Sequence, residues 1–285
     1  MKGNRRIRVD GHCASCLYDR QKHVKDDPEY LAEVRRLIDG RRPGDTAPYL
    51  VYLFGLEYER RFGRGQPYEE VKKRYNDFVL GMEDAVRARI EAAPDPCEAA
   101  LMYARTGNYI DFGAMDDVDE SEFLRLFDGA RVSESDRPAV DSFFARCASA
   151  KTFLLIADNC GEIVLDRLFV EQLKKRYPGL SVSVMVRGGE VLNDATAEDA
   201  LYAGFPESEI VSSGNPVGGV ALDMLSDEAR RALDGADVIL AKGQGNYESL
   251  NGRGRHVFYS LLCKCAVFTE HFGVAPFTGM FIEEG

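Results

Sequence analysis

Three polar clusters, each placed just after a short apolar run, hold the residues of this chain best suited by type and spacing to chemistry on an anion. The first is Asp158-Asn159-Cys160-Gly161-Glu162. Asp158 and Asn159 offer a carboxylate and an amide carbonyl, hard oxygen donors suited to Mg²⁺ or Mn²⁺. Gly161 permits a tight turn, and a helix beginning there would aim its first amides at the same spot. Asp and Asn also cap helices, so this cluster alone reads equally as cap or as ligand set. The second cluster, Leu192-Asn193-Asp194-Ala195-Thr196, adds a carboxylate and an amide, with capping again the plain alternative. The third is Lys242-Gly243-Gln244-Gly245-Asn246-Tyr247-Glu248. It puts a point charge at a strand end and two glycines where successive amides can face an anion. No Gly-Lys-Ser/Thr is present, so it is not a Walker loop, and Glu248 stands where a dinucleotide fingerprint needs a glycine. A turn with a solvated lysine is the plain alternative.

The elements around these clusters change character near residue 148. Before it, apolar positions recur at helical spacing. After Gly65-Gln66-Pro67, the stripe Val71, Tyr75, Phe78, Met82, Val86 predicts one helix, with Glu69 and Glu70 in its first turn. Weaker helical patterns cover residues 30–38 and 97–104, and another runs from Ser133 through Val140 and Phe144 towards Cys147. After residue 151, short apolar runs alternate with amphipathic segments. Strands are expected at 152–156, 180–186, 209–212, 237–241 and 265–269, with helices at 163–175 and 221–233. That alternation predicts an α/β fold: a helical domain over 1–148, then a Rossmann-like, mostly parallel sheet over 149–285 with helices on both faces. Ligands of such sheets bind beyond the carboxyl ends of the strands, which is where all three clusters fall.

Taken together, Asp-Asn-Cys-Gly-Glu, Asn-Asp-Ala-Thr and Lys-Gly-Gln-Gly-Asn-Tyr-Glu resemble the DUF89 family of metal-dependent damage-control phosphatases. Thr106-Gly107-Asn108-Tyr109-Ile110-Asp111-Phe112-Gly113 is similar to the same family's Gly-Asn-Tyr-Ile-Asp stretch. The resemblance implies hydrolysis of small phosphorylated metabolites such as sugar phosphates, with a divalent ion (Mn²⁺, Mg²⁺, Co²⁺ or Ni²⁺) as cofactor. By position it implies Asp158, Asn159 and Asp194 as metal ligands and Lys242 as the phosphate-side lysine. In that scheme the ion neutralises phosphoryl charge, while Lys242 and the amides from Gly243 through Gly245 to Asn246 hold other oxygens. Asn193 and Glu248 are further expected substrate contacts, and Glu162 is expected to orient water or a substrate hydroxyl.

Bulk properties agree. A net charge of −11 over 285 residues argues against a broad nucleic-acid or anionic-membrane surface. No apolar run approaches the roughly 18 residues of a membrane span, and no apolar signal core follows the basic start. Seven cysteines, an odd number, fit reduced thiols in a cytoplasmic protein. His12-Cys13-Ala14-Ser15-Cys16 has the spacing of half a soft-metal site, but Cys263-Lys264-Cys265 does not supply the other half, so buried structural thiols are expected. Cys16-Leu17-Tyr18-Asp19-Arg20 also resembles the start of the family's short prokaryotic members, which implies that the pair belongs to the fold. Two rival functions remain: an S-adenosylmethionine-dependent carboxyl methyltransferase, and a non-catalytic phosphometabolite sensor. The first is disfavoured by the single glycine after the first strand. The second has no need of a metal beside its anion loop. A haloacid-dehalogenase mechanism needs a second Asp at position 160, which is Cys160.

Overall fold

The apolar runs of the second half become parallel strands because alternate side chains enter two separate cores. In the computed structural model, which describes residues 6–65, 68–109, 124–125 and 127–285, Phe153 and Leu155 pack into one core and Leu154 and Ile156 into the other. These residues belong to β1 (Thr152–Ile156), the centre of a six-stranded sheet. β2 (Ser181–Val186), β3 (Ile210–Ser212), β4 (Val238–Lys242) and β5 (Val257–Leu262) run parallel to it. β6 (Gly279–Glu284) closes one edge antiparallel to β5. The spatial order is β3-β2-β1-β4-β5-β6. The chain winds outward from β1 to β3 and then returns to β4 on the other side of β1. The switch point therefore lies between β1 and β4.

Helices α1 (Gly11–Val24), α2 (Pro28–Asp39) and α3 (Ala47–Phe62) form a small cluster of their own around Tyr30, Val34, Leu50 and Phe54. α4 (Glu69–Gly81), α5 (Glu83–Ala92), α6 (Pro96–Gly107) and α7 (Arg137–Ser149) join α8 (Glu162–Arg176) over one face of the sheet. On this face one continuous core includes Tyr75, Leu101, Phe143, Phe169 and Phe281. α10 (Asp227–Gly235), α11 (Gly243–Leu250) and α12 (Ala266–Phe272) cover the other face, while the short α9 (Ala197–Tyr202) packs beside α4 and α8. The α/β architecture with helices on both faces is as expected. The core under α4 to α8 crosses residue 148 without a break, so packing separates α1–α3 from the rest more sharply than it separates the two halves.

Several elements differ in detail from the expectation. Residues 265–269 lie in α12 and its cap rather than in a strand, and the fifth strand is β5, with β6 unforeseen. The helix expected across 71–86 is interrupted at Met82, which caps both α4 and α5. Within 221–233, a single 3₁₀ turn at Leu222–Met224 precedes α10. Among the described residues, no helix is long and apolar enough to cross a membrane.

Candidate functional site

β1 ends at Ile156, and two residues later Asp158 emerges at the switch point. The turn that follows is fixed from outside: the Gly161 amide donates to Asn76 Oδ1 of α4 at 2.6 Å. Asn76 in turn donates to Asp199 at 3.1 Å, and Asp199 pairs with the buried Lys72 at 2.7 Å. Asp158 and Asn159 cap nothing, because the N-cap of α8 is Gly161 and no side chain caps it. Capping of α9 likewise falls to Thr196, whose amide and hydroxyl reach Asp199 at 2.9 and 2.7 Å. Neither N-cap position is thus taken by Asp158, Asn159 or Asp194.

The structure brings these three together. The Asp158 carbonyl accepts the Ala195 amide at 2.8 Å, the Asn193 carbonyl accepts the Cys160 amide at 2.8 Å, and Asn159 bridges to Asp194. Asn159 Nδ2 donates to Asp158 Oδ2 at 2.9 Å and to Glu162 Oε2 at 3.2 Å, which leaves Asn159 Oδ1 as the atom for a cation. Asn108, at the end of α6, donates through Nδ2 to Asp158 Oδ2 at 3.0 Å and to Glu162 Oε2 at 2.9 Å. The rest of that stretch, residues 110–113, lies outside the described residues. Burial, reinforced by the Asp194 and Glu162 carboxylates, pushes Asp158 up to about 8 against the pull of Arg187 and Lys264.

Arg187 directly follows β2 and spans the carboxylate pair. Nε donates to Asp194 Oδ2 at 2.7 Å, Nη1 to Asn246 Oδ1 at 3.0 Å, and Nη2 lies 3.5 Å from Asp158 Oδ1. Lys242 occupies a different place from the one expected. Its side chain is fully buried, and its ammonium donates to Glu162 Oε1 at 2.7 Å, Asp166 Oδ1 at 2.5 Å and the Ala104 carbonyl at 3.0 Å. All three protons are spent inside the protein. Burial lowers the affinity of that amine for its proton, but the two facing carboxylates outweigh it and hold Lys242 firmly charged. Burial pushes Asp166 up to about 7 despite Lys242. Glu162 is correspondingly sealed in the same ion cluster, facing Lys242 and two asparagines rather than solvent.

The third cluster is helix rather than loop. Gly243 begins α11 at φ 75°, and a Cβ there would stand 1.9 Å from Asp158 Oδ2, so the helix start lies directly against the carboxylate. At Gly245 a Cβ would meet the Gly218 carbonyl at 2.1 Å, which ties α11 to the 214–219 loop. Asn246 is buried and donates to the carbonyls of Ala157 and Lys242 at 3.0 and 2.7 Å; it anchors β1, β4 and Arg187 to one another. Glu248 turns towards the N-terminal helices, where its carboxylate takes the Ala47 amide and burial raises it to about 7. Asn193 is buried, with Nδ2 lacking a partner among the described residues. The thiols also depart from expectation: Cys13 is half-buried and Cys16 exposed, while all seven cysteines are free.

Arg187, Asn76 and Lys264 were absent from the sequence-derived set. Arg187 carried a signal, since it follows an apolar strand just as Lys242 ends one. Lys264 follows β5 and acts on Asp158, but its place could not be read while residues 265–269 passed for the strand.

Among the described residues, no group of three or more His, Cys, Asp or Glu side chains is set to hold a metal. An ion here would rest on two carboxylates and one amide oxygen, completed by water or substrate. That donor set suits Mg²⁺-like ions, which are commonly held by one or two carboxylates plus phosphate oxygens. The crowding of Asp158 by the Asp194 and Glu162 carboxylates, which adds to burial in raising its proton affinity, fits a cation here as well.

The profile of the family described as the Damage-control phosphatase ARMT1-like domain matches residues 11–278. A damage-control phosphatase of Archaeoglobus fulgidus is 29% identical, over 94% of this chain and 96% of its own length. An uncharacterized protein of Methanocaldococcus jannaschii is 31% identical over 94% of this chain and 93% of its own. A damage-control phosphatase of Pyrococcus horikoshii is 30% identical over 91% and 92%. The crystal structure of a DUF89 family protein from Pyrococcus horikoshii superposes with a TM-score of 0.79 at 24% identity, covering 97% of this chain and 99% of that one.

Proposed function

The chain belongs to the damage-control phosphatase ARMT1-like family, and from that membership we propose that it hydrolyses small phosphorylated metabolites at the β1/β4 switch point with the help of a divalent ion. One observation carries the reading. Asp158, Asn159 and Asp194 converge beside the start of α11, where burial first and the Asp194 and Glu162 carboxylates next push Asp158 up to about 8. Asp158 and Asp194, with Asn159 Oδ1, would hold the ion. When bound, it would supply Lewis-acid polarisation of a phosphoryl oxygen and neutralise charge developing there.

The remaining work falls to the chain. The first amides of α11, beginning at Gly243 beside Asp158, would donate to phosphoryl oxygens at a helix N-terminus. Lys264, which acts on Asp158 from the loop after β5, adds positive charge on the substrate side. Lys242, Glu162, Asn108 and Asn246 hold the carboxylates and the helix start in register from beneath. Sugar phosphates and related monoesters are the substrate class.

Phosphate release from a panel of phosphorylated metabolites, assayed with Mn²⁺, Mg²⁺, Co²⁺ or Ni²⁺ and again after chelation, tests the proposal. Turnover of one or more monoesters that disappears with chelator and returns with the ion is expected. No release from any ester under any ion, with methyl transfer from S-adenosylmethionine or bare ligand binding in its place, would overturn it.

A further inference from the structure

Arg187 is the most deeply buried charge in contact with the carboxylate pair, with a side chain 1% exposed. Its position is fixed from two sides. Nε is spent on Asp194 Oδ2 and Nη1 on Asn246 Oδ1, and the Asn246 amide is itself tied to Ala157 and Lys242. Nη2 has no hydrogen-bond partner among the described residues and stands 3.5 Å from Asp158 Oδ1. The contact with Asp158 is thus electrostatic and leaves that carboxylate able to turn to something else. A guanidinium cannot relieve a crowded site by losing its proton. Two neighbouring carboxylates, for their part, repel each other, and Arg187 is the positive charge that stands against both.

We infer that Arg187 is a built-in counter-ion, a positioning residue that keeps Asp158 and Asp194 together before a divalent ion arrives and weakens the hold on that ion afterwards. The inference rests on the metal-site reading given above. Arg187 has no route of escape, so an incoming cation must share both carboxylates with it. Like charges then oppose each other across the pair. The loaded cluster carries one net positive charge from the ion, Arg187, Asp158 and Asp194, which suits an anionic phosphoryl group. In this way the ion stays exchangeable while the empty site keeps its shape.

Two properties should therefore move in opposite directions, which a merely structural residue would not produce. Arg187→Gln and Arg187→Lys are compared with the unmodified protein by melting in EDTA and by Mn²⁺ titration followed through the EPR signal of free Mn²⁺. Arg187→Gln is expected to melt at a lower temperature in EDTA yet bind Mn²⁺ on the order of tenfold more tightly, since a full charge near the cation is gone. Arg187→Lys keeps the charge and is expected to stay close to the unmodified protein in both. If Arg187→Gln is unfolded in EDTA, Mn²⁺ is expected to restore its fold. Mn²⁺ binding in Arg187→Gln that is equal to or weaker than in the unmodified protein would overturn the counter-ion role alone, as would failure to fold with Mn²⁺. Absence of Mn²⁺ binding by the unmodified protein would instead remove the metal-site reading, and this inference with it.

Discussion

Lys242 gives its three ammonium protons to Glu162, Asp166 and Ala104, so replacing it tests burial before it tests substrate contact. Lys242→Met leaves two buried carboxylates facing one another, with Asp166 Oδ2 already lacking a partner among the described residues. Breaking a buried ion pair from one side costs about 3–5 kcal/mol, and urea unfolding should show a loss of that order. Unchanged stability with lost turnover would return Lys242 to the phosphate. Titration supplies a second residue-level expectation. The folded protein holds protons on Asp158 up to about 8 and on Asp166 up to about 7, whereas an unfolded Asp releases them near 3.8. Stability in EDTA should therefore be highest at the acidic end of that window and fall as pH rises through about 7 to 8. Saturating Mn²⁺ should flatten the fall, because the ion replaces the proton on Asp158. A melting temperature that climbs across this window in EDTA would contradict the assignment. The residue types needed for a hard-metal site were legible in the sequence. The direction of Lys242 was legible only once β4 was known, since 238, 240 and 242 share a face and that face lies under α8. Glu162 and Asp166, four apart and both on the buried face of the helix, are the matching signal on α8.

At the scale of elements, the start of α11 decides the site. Gly243 has φ 75° and no room for a Cβ beside Asp158, so Gly243→Ala must move either the helix start or the carboxylate. Mn²⁺ binding and turnover should both collapse in that variant while circular dichroism stays near that of the unmodified protein. Retained binding would show that α11 does not set the position of Asp158. The glycines of this segment looked like a loop in sequence, yet their spacing serves a helix that approaches two backbones closely. β1, β2 and β4 were legible because short apolar runs sat between clear breakers. β5 and α12 were not, since short apolar stretches carry no period that separates strand from helix. The helical pairing of α4 with the turn after β1, through Asn76 and Gly161, depends on long-range contact that no local pattern reports.

At the scale of the molecule, a single core joins α4–α7 to the sheet across residue 148. A fragment of residues 149–285 would expose that face of α8, including the buried Leu165, Leu168 and Phe169. It should fail to unfold cooperatively in a thermal scan, whereas a cooperative transition would establish the helices as a separable domain. The acidic balance of the whole chain argues against a broad positive surface field, so the proposed phosphate selectivity rests on the local charge of the switch point. That local charge centres on Asp158, so the sharpest test is the initial rate of phosphate release from p-nitrophenyl phosphate. Chelator-treated protein is titrated with Mn²⁺, with Asp158→Ala run beside it. The expected result is a rate that starts near zero, rises to saturation for the unmodified protein and stays flat for the variant. A full rate in EDTA, or an Asp158→Ala curve that matches the unmodified one, would contradict the account.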